Sequence, residues 1–333
     1  MLKKLPMLFL CFFYIANVNA GSINGVGMKK LEVNDPIDQR PMAAVAFFPS
    51  PNSTAMTQIG PYQIEASRSV PIEENRYPLI LISHGNMGSM WGHHDLASSL
   101  TRQGYIVVSV THPGDNFQDT RRVGTTSAIY GRPLQISAAL TAALKDLELS
   151  QHIDPKRIGF IGFSAGGTTG LILAGAKPIL SRLEDYCSRR PDDRHVCEAQ
   201  GRINHDRPEL IPTADPRIRS FVLLAPLSVV FPPTELKSIA APMLIYVGEK
   251  DRELSPDENA IALARDIQSD NQLNIIPNAG HFTFLAPCSP QMAREISALC
   301  LDNPDVNRLA IHQQINMEIA SFLTKTLSQA TKN

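Results

Sequence analysis

The chain has 333 residues, 43% of them apolar and 19% charged, with a formal net charge of −1. That size and apolar content can bury a substantial core, and they exclude a disordered tail, a coiled coil or a collagen-like repeat. The balance of 31 basic against 32 acidic side chains lacks the basic excess of a nucleic-acid binder.

The first twenty residues, MLKKLPMLFLCFFYIANVNA, have a basic start at Lys3 and Lys4, an apolar run from Leu5 to Ile15, and small residues Val18 and Ala20 before Gly21. This is the layout of a secretory signal peptide, and the run is short for a membrane span. An uncleaved anchor is the alternative. Cys11 between Leu10 and Phe12 does not suit a lipoprotein cleavage site. Removal of residues 1–20 leaves 29 basic residues against 32 acidic, a net charge of −3. The expected mature protein, 21–333, is exported to a periplasm or beyond, with no other span.

Residues 28–34 and 42–48 read as strands joined by NDPIDQRP, a hairpin turn. YPLILIS (77–83) is a continuous apolar run, as in a strand buried on both faces. A helix is expected near 93–103, a strand at 105–111, and a long helix over 132–150 with Leu134, Ile136, Leu140, Leu144, Leu147 and Leu149 on its apolar stripe. RIGFIGF (157–163) is another buried strand, followed at once by a helix. Strands at 221–226 and 242–248, a helix at 256–268, a strand at 273–276 and two C-terminal helices complete the series. The last helix carries Val306, Leu309, Ile315, Ile319 and Phe322. Buried strands alternating with helices predict one α/β domain with a mostly parallel sheet. Residues 176–216 are dense in Arg, Asp, Glu and Pro without a period, and a segment of that length reads as a lid.

Without Cys11 four cysteines remain, an even set that suits an oxidising compartment. Three pairings are open, and the short spacings favour Cys187–Cys197 and Cys288–Cys300. The alternative is free thiols in a reducing compartment. No His/Cys spacing suits a zinc site.

GFSAGG (162–167) lies between a buried strand and an apolar helical run. A nucleophile elbow needs that context: a strand, a strained turn with a serine at its tip, and a helix, with small residues where backbones crowd. Ser164 takes the tip. A nucleotide-binding turn is the rival, but the segment lacks G-x-G-x-x-G and a P-loop lysine. A serine nucleophile needs a base and a group to orient that base, in the chain order Ser, acid, His. Asp251 follows strand 242–248, and His281 follows strand 273–276 after an Ala-Gly turn. Glu249 is the alternative acid. His84, in SHGNMG, resembles the residue of an esterase oxyanion turn. On that reading the amides of Asn86 and Ala165 are the oxyanion donors, and His84 shapes the turn. Met87, Met90 and Trp91 form either an apolar pocket wall or ordinary core. His112 is placed to line the site. His93, His94, His152, His195 and His205 read as solvated.

The chain resembles the α/β-hydrolase superfamily, within it the predicted dienelactone hydrolase group related to platelet-activating factor acetylhydrolases. The resemblance covers nearly the whole mature chain. It rests on VGMKKLEVNDPIDQRPMAAVAFFPS, LILISHGNMGS, THPGDN, RPLQIS, GFSAGG and GHFTFLAPCSP with Cys300 and the terminal helix. It implies an eight-stranded sheet with one antiparallel strand, no metal or other cofactor, and hydrolysis of small-molecule esters with short acyl groups. Two departures bear on the substrate. Ala165 stands where the acetylhydrolases carry a bulkier residue, and Phe163 where many relatives have His. True dienelactone hydrolases use cysteine. The alternatives are a ligand-binding protein on a hydrolase scaffold, a lipase, a polyester hydrolase or an acyltransferase.

Overall fold

The computed structural model describes residues 24–193, 196, 197 and 200–329. The expected signal segment and His195 lie outside them. Eight strands form the body of one twisted sheet: β1 (Gly25–Asn34), β2 (Pro41–Ser50), β3 (Tyr77–Ser83), β4 (Ile106–Val110), β5 (Ile153–Phe163), β6 (Ser220–Leu224), β7 (Met243–Gly248) and β8 (Asn271–Ile276). Their spatial order is 1-2-4-3-5-6-7-8. A two-residue strand, Ser67–Arg68, adds a ninth at the β1 edge. Only β2 runs against the rest, antiparallel to β1 and to β4. The β1–β2 turn is held by Asp35, whose amide donates to the Arg40 carbonyl (2.8 Å). A separate hairpin, Met56–Ile59 with Tyr62–Glu65, occupies part of the stretch that reads as merely polar.

The continuous apolar strands make sense once both faces are covered. Successive side chains of a strand point to opposite faces. In β3, Leu79 and Leu81 join one core, while Ile80 and Ile82 join the other. The first face packs against helix α2 (Gly131–Lys145) through Ile136, Ala139, Leu140 and Ala143. The second packs against α1 (His94–Arg102), through Leu96 and Leu100, and against a later helix over Arg308–Gln329 through Ile315, Ile319 and Leu323.

Helix boundaries differ from the expectation in places. The expected helix 132–150 ends at Lys145, because Asp146 turns out to extended backbone (φ −60°, ψ 131°) and its Oδ1 accepts from the amides of Glu148 and Leu149. A short turn, Leu149–His152, follows, and Leu147 is exposed rather than on the stripe. The helix expected at 256–268 opens with a π turn over Asp257–Ile261 and ends at Asp266. The C-terminal part holds three helices rather than two: Pro290–Glu295, Ser297–Cys300 and Arg308–Gln329. In the last of these Leu309 is exposed, and Val306 precedes it. Among the described residues no helix is long and apolar enough to cross a membrane.

Two disulfides, Cys187–Cys197 and Cys288–Cys300, have Cα separations of 5.3 and 5.8 Å. The segment expected as a lid contains helix α4 (Ser181–Arg189), whose Cys187 carries the first bridge. Its anchors include two polar clusters. Asp206 accepts from the amide of Ser127 (2.9 Å) and the hydroxyl of Thr126 (3.0 Å). Tyr186 donates to Asp193 and accepts from the Ser255 amide (3.0 Å).

Candidate active site

Ser164, Asp251, His281 and His84 all follow the carboxyl ends of parallel strands, where loops of an α/β sheet converge. Ser164 sits between β5 and helix α3 (Ala165–Leu173) at φ 54°, ψ −114°. A side chain there is strained, and a non-glycine residue holds such a conformation only when its surroundings over-determine it. Here they do. The Ser164 amide donates to Leu224 (2.9 Å), and its carbonyl accepts from Gly167 (2.8 Å) and Leu227 (3.1 Å). Two glycines make the turn possible. A Cβ at Gly162 would lie 2.1 Å from the Gly166 oxygen, and one at Gly166 would lie 2.1 Å from the Ser83 oxygen.

Asp251 and His281 arrive from the ends of β7 and β8. His281 Nδ1 lies 2.7 Å from Asp251 Oδ2, and both side chains are buried. The other carboxylate oxygen accepts from the amides of Glu253 and Leu254, each at 2.9 Å. A carboxylate so placed only accepts, so the proton of this contact is on Nδ1, and Nε2 is the ring nitrogen that Asp251 does not engage. The imidazole packs on Phe163, the residue before Ser164, with ring centroids 4.9 Å apart. Glu249 turns elsewhere: it is exposed, pairs with Lys250 and accepts from the Asn278 amide (3.0 Å).

His84 shapes the turn after β3. Its Nδ1–H donates to the Gly85 carbonyl (2.6 Å), and Nε2 accepts from the His112 amide (3.0 Å). Burial, with Arg132 nearby, holds its pKa well below the ordinary imidazole value, so the ring is neutral. His112 does not line the site. It is fully buried in a polar chain in which Ser83 donates to Nε2 (2.8 Å) and Nδ1–H donates to Gln135 (2.7 Å). Gln135 in turn donates to Asp35 (3.0 Å).

His93 is not solvated, as its polar neighbours in sequence suggest. It is buried edge-on against Phe163 at 5.3 Å, and burial lowers its pKa to about 4. His94 is half-buried against Tyr62. His152 is half-buried too, and His205 is exposed.

A cavity of about 620 Å³ has Asn86 and Ala165, the residue after Ser164, in its lining. Leu183, Val196 and Ile203 of the 176–216 segment line it together with Val123, Ala128 and Ile129. Met87 lines it, whereas Met90 and Trp91 pack into the second core, Trp91 edge-on to Phe47. Arg132 and Asp115 also reach the cavity, joined in a buried ion pair of 2.8 Å. Sequence reasoning missed this pair, although both residues stand inside the quoted segments THPGDN and RPLQIS. A lone arginine one residue into an apolar helix was the available signal. Among the described residues no group of three or more His, Cys, Asp or Glu side chains is placed to hold a metal ion.

The sequence profile of the alpha/beta hydrolase family matches residues 79–290, most of the chain. The chain belongs to the alpha/beta hydrolase family. A ferulic acid esterase from Streptomyces cinnamoneus superposes on this hydrolase with a TM-score of 0.65 at 17% identity, covering 92% of this chain and 91% of the esterase. A dienelactone hydrolase from Anabaena variabilis superposes with a TM-score of 0.47 at 15% identity, over 90% of this chain and 98% of the other. In sequence, the uncharacterized peptidase YuxL of Bacillus subtilis is 34% identical over 97 residues. That match spans 28% of this chain and 14% of the peptidase. The likeness to the ferulic acid esterase speaks for the shared fold.

Proposed function

We propose that the protein is an exported serine esterase that cleaves small carboxylic esters through an acyl-enzyme. The observation that carries this reading is the buried 2.7 Å contact between His281 Nδ1 and Asp251 Oδ2, with the His281 ring packed on Phe163, the residue before a serine held at φ 54° on an elbow. In this reading His281 Nε2 takes the proton of Ser164 as Oγ attacks the ester carbonyl. Asp251 holds the tautomer and stabilises the imidazolium. The amides of Asn86 and Ala165 meet the oxyanion. Ala165 opens helix α3, so its N–H has no carbonyl one turn back and is free for that role. His281 then protonates the leaving alkoxide, and the same base activates the water that releases the acid.

The cavity bears on the substrate. Its volume lies within the range of about 300–1,000 Å³ typical of small-molecule sites. A short acyl group alone leaves most of it empty. The proposal therefore places the larger, apolar half of the ester against Leu183, Val196 and Ile203, with a short acyl chain at the elbow. Segment 176–216 acts as the lid. Export is supported by the signal-like start and by the two disulfides.

The test is a panel of p-nitrophenyl esters from acetate to palmitate, together with fluorophosphonate labelling. The expected outcome is highest kcat/KM at short chains and covalent labelling of Ser164. Ser164→Ala should stay folded and lose activity by a factor near 10⁶ in kcat. Hydrolysis retained above about 1% in that variant sinks the single-nucleophile reading.

A further inference from the structure

We propose that the buried Arg132–Asp115 ion pair is a positioning device that aims the Asn86 amide at the oxyanion and strengthens it as a donor. The inference rests on the reading of Asn86 as an oxyanion donor and goes beyond it.

The peptide bond sets the geometry. In a planar trans peptide the C=O of one residue and the N–H of the next point in opposite directions. No cis bond occurs among the described residues. Whatever fixes the Gly85 carbonyl therefore fixes the direction of the Asn86 N–H. That carbonyl accepts from Arg132 Nη2 (3.1 Å), from His84 Nδ1 (2.6 Å) and from the Gly88 amide (3.2 Å). Arg132 Nη1 also donates to the carbonyl before it, that of His84 (2.6 Å). Two successive carbonyls are thus gripped by one planar guanidinium.

The peptide on the other side of Asn86 is fixed by the partner. The Met87 N–H donates to Asp115 Oδ1 (2.9 Å), while Asp115 Oδ2 pairs with Arg132 Nη2 (2.8 Å). Met87 stands at φ 55°, a conformation a methionine keeps only under such restraint. The two peptides flanking Asn86 are therefore both tied to the same ion pair. The pair is nearly solvent-free, at 3% and 2% side-chain exposure, so its field is little screened. A cation on the Gly85 oxygen draws electron density through the amide and makes the Asn86 N–H a better donor. The charge is matched: Arg132 faces the carbonyl oxygens and Asp115 faces an N–H.

The same residues in a merely structural role would add stability alone. Kinetics separate the two roles. Arg132→Lys keeps the positive charge, but one ammonium cannot span two carbonyls and a carboxylate in the guanidinium geometry. The double variant Arg132→Met with Asp115→Asn removes both charges together, so neither is left buried and unpaired.

With p-nitrophenyl acetate, both variants are expected to lose about 10- to 100-fold in kcat, short of the 10²–10³ for deleting an oxyanion donor, with KM held within about threefold. A trifluoromethyl ketone, which forms a tetrahedral adduct on the serine, should weaken by the same factor as kcat/KM. Folded variants with unchanged kcat, or a loss carried wholly by KM, overturn the proposal. If Ser164→Ala remains active, the esterase reading itself fails. If Ser164→Ala is dead while the Arg132 variants keep full kcat, only the positioning role fails.

Discussion

Asp251 and Glu249 are two residues apart, both carboxylates and equally close to the rim in sequence, yet only one faces His281. The difference is the turn after β7, where two backbone amides close on Asp251 Oδ1 and leave Oδ2 for the imidazole. Asp251→Asn should keep the fold and lower kcat by about 10⁴, because the amide cannot hold the imidazole in the tautomer that keeps Nε2 free. Glu249→Gln should change kcat by less than about twofold, as expected for an exposed side chain away from the reacting atoms. Stopped assays on the two purified variants decide, and the reverse ranking would transfer the orienting role to Glu249. At this scale the candidate triad residues were legible, because chain order and strand ends leave few choices. The ion pair beneath the oxyanion turn was not. Its two members are 17 positions apart, and nothing in the sequence says that a guanidinium will grip main-chain oxygens.

Among the elements, the short turn His281–Phe284 is heavily tethered. Thr283 donates to Asp302 (2.7 Å) and accepts on its carbonyl from His312 Nε2 (2.8 Å), while Arg308 pairs with Asp302 (2.8 Å). His312 Nδ1 lies 2.6 Å from Asp95. Carboxylate and carbonyl both accept, so His312 donates from both nitrogens and is the imidazolium. Burial and Arg308 oppose that charge, but Asp95 and the Thr283 carbonyl outweigh them and raise the pKa above the ordinary 6.5. His94, half-buried nearby, also faces Asp95. A raised value in the folded state gives stability that is complete below pH 6.5 and is lost as pH climbs through the folded value. Thermal melts from pH 6 upward should show that decline, and His312→Gln should flatten it. An unchanged slope in the variant would mean that His312 does not cause the decline.

The Cys288–Cys300 bridge belongs to the same tether, since Arg308 also donates to the Leu299 carbonyl (2.9 Å). Cys288→Ser with Cys300→Ser should therefore lower kcat by about 10-fold or more at temperatures well below the melt, since displacements near 1 Å can cost about 10²-fold. Unchanged kcat in that folded variant would leave the bridge a staple for stability alone. Within the bridged loop, Ser289 caps helix Pro290–Glu295, accepting from the Met292 amide (3.2 Å). The end of α2 was not legible in the sequence. The leucine spacing runs on through 147 and 149, but the Asp146 side chain offers the backbone a competing set of partners.

For the whole molecule, the two-faced core follows from the apolar runs of β3, β4 and β5, and this is why the parallel sheet could be read in advance. The hairpin Met56–Ile59 with Tyr62–Glu65 could not, since four-residue polar strands carry little pattern. The terminal helix α5 (Arg308–Gln329) seals the face formed by Ile80, Ile82 and Val107. Ile319, fully buried there, should cost about 2–5 kcal/mol on truncation to Ala. Urea unfolding measures this, and a loss under about 1 kcal/mol would mean that the face needs no such seal.

That seal has a consequence in time. In chain order α5 follows every strand of the sheet, and its His312 is also the residue that anchors the turn carrying His281. A ribosome delivers the chain from its N-terminus, so Ser164 and Asp251 emerge while the second face of the sheet is covered by α1 without its terminal helix. On the proposed mechanism, the turn that carries the base lacks its His312 anchor until residues beyond 308 have arrived. On that same mechanism, a chain halted before that helix would be inert as well as unfinished.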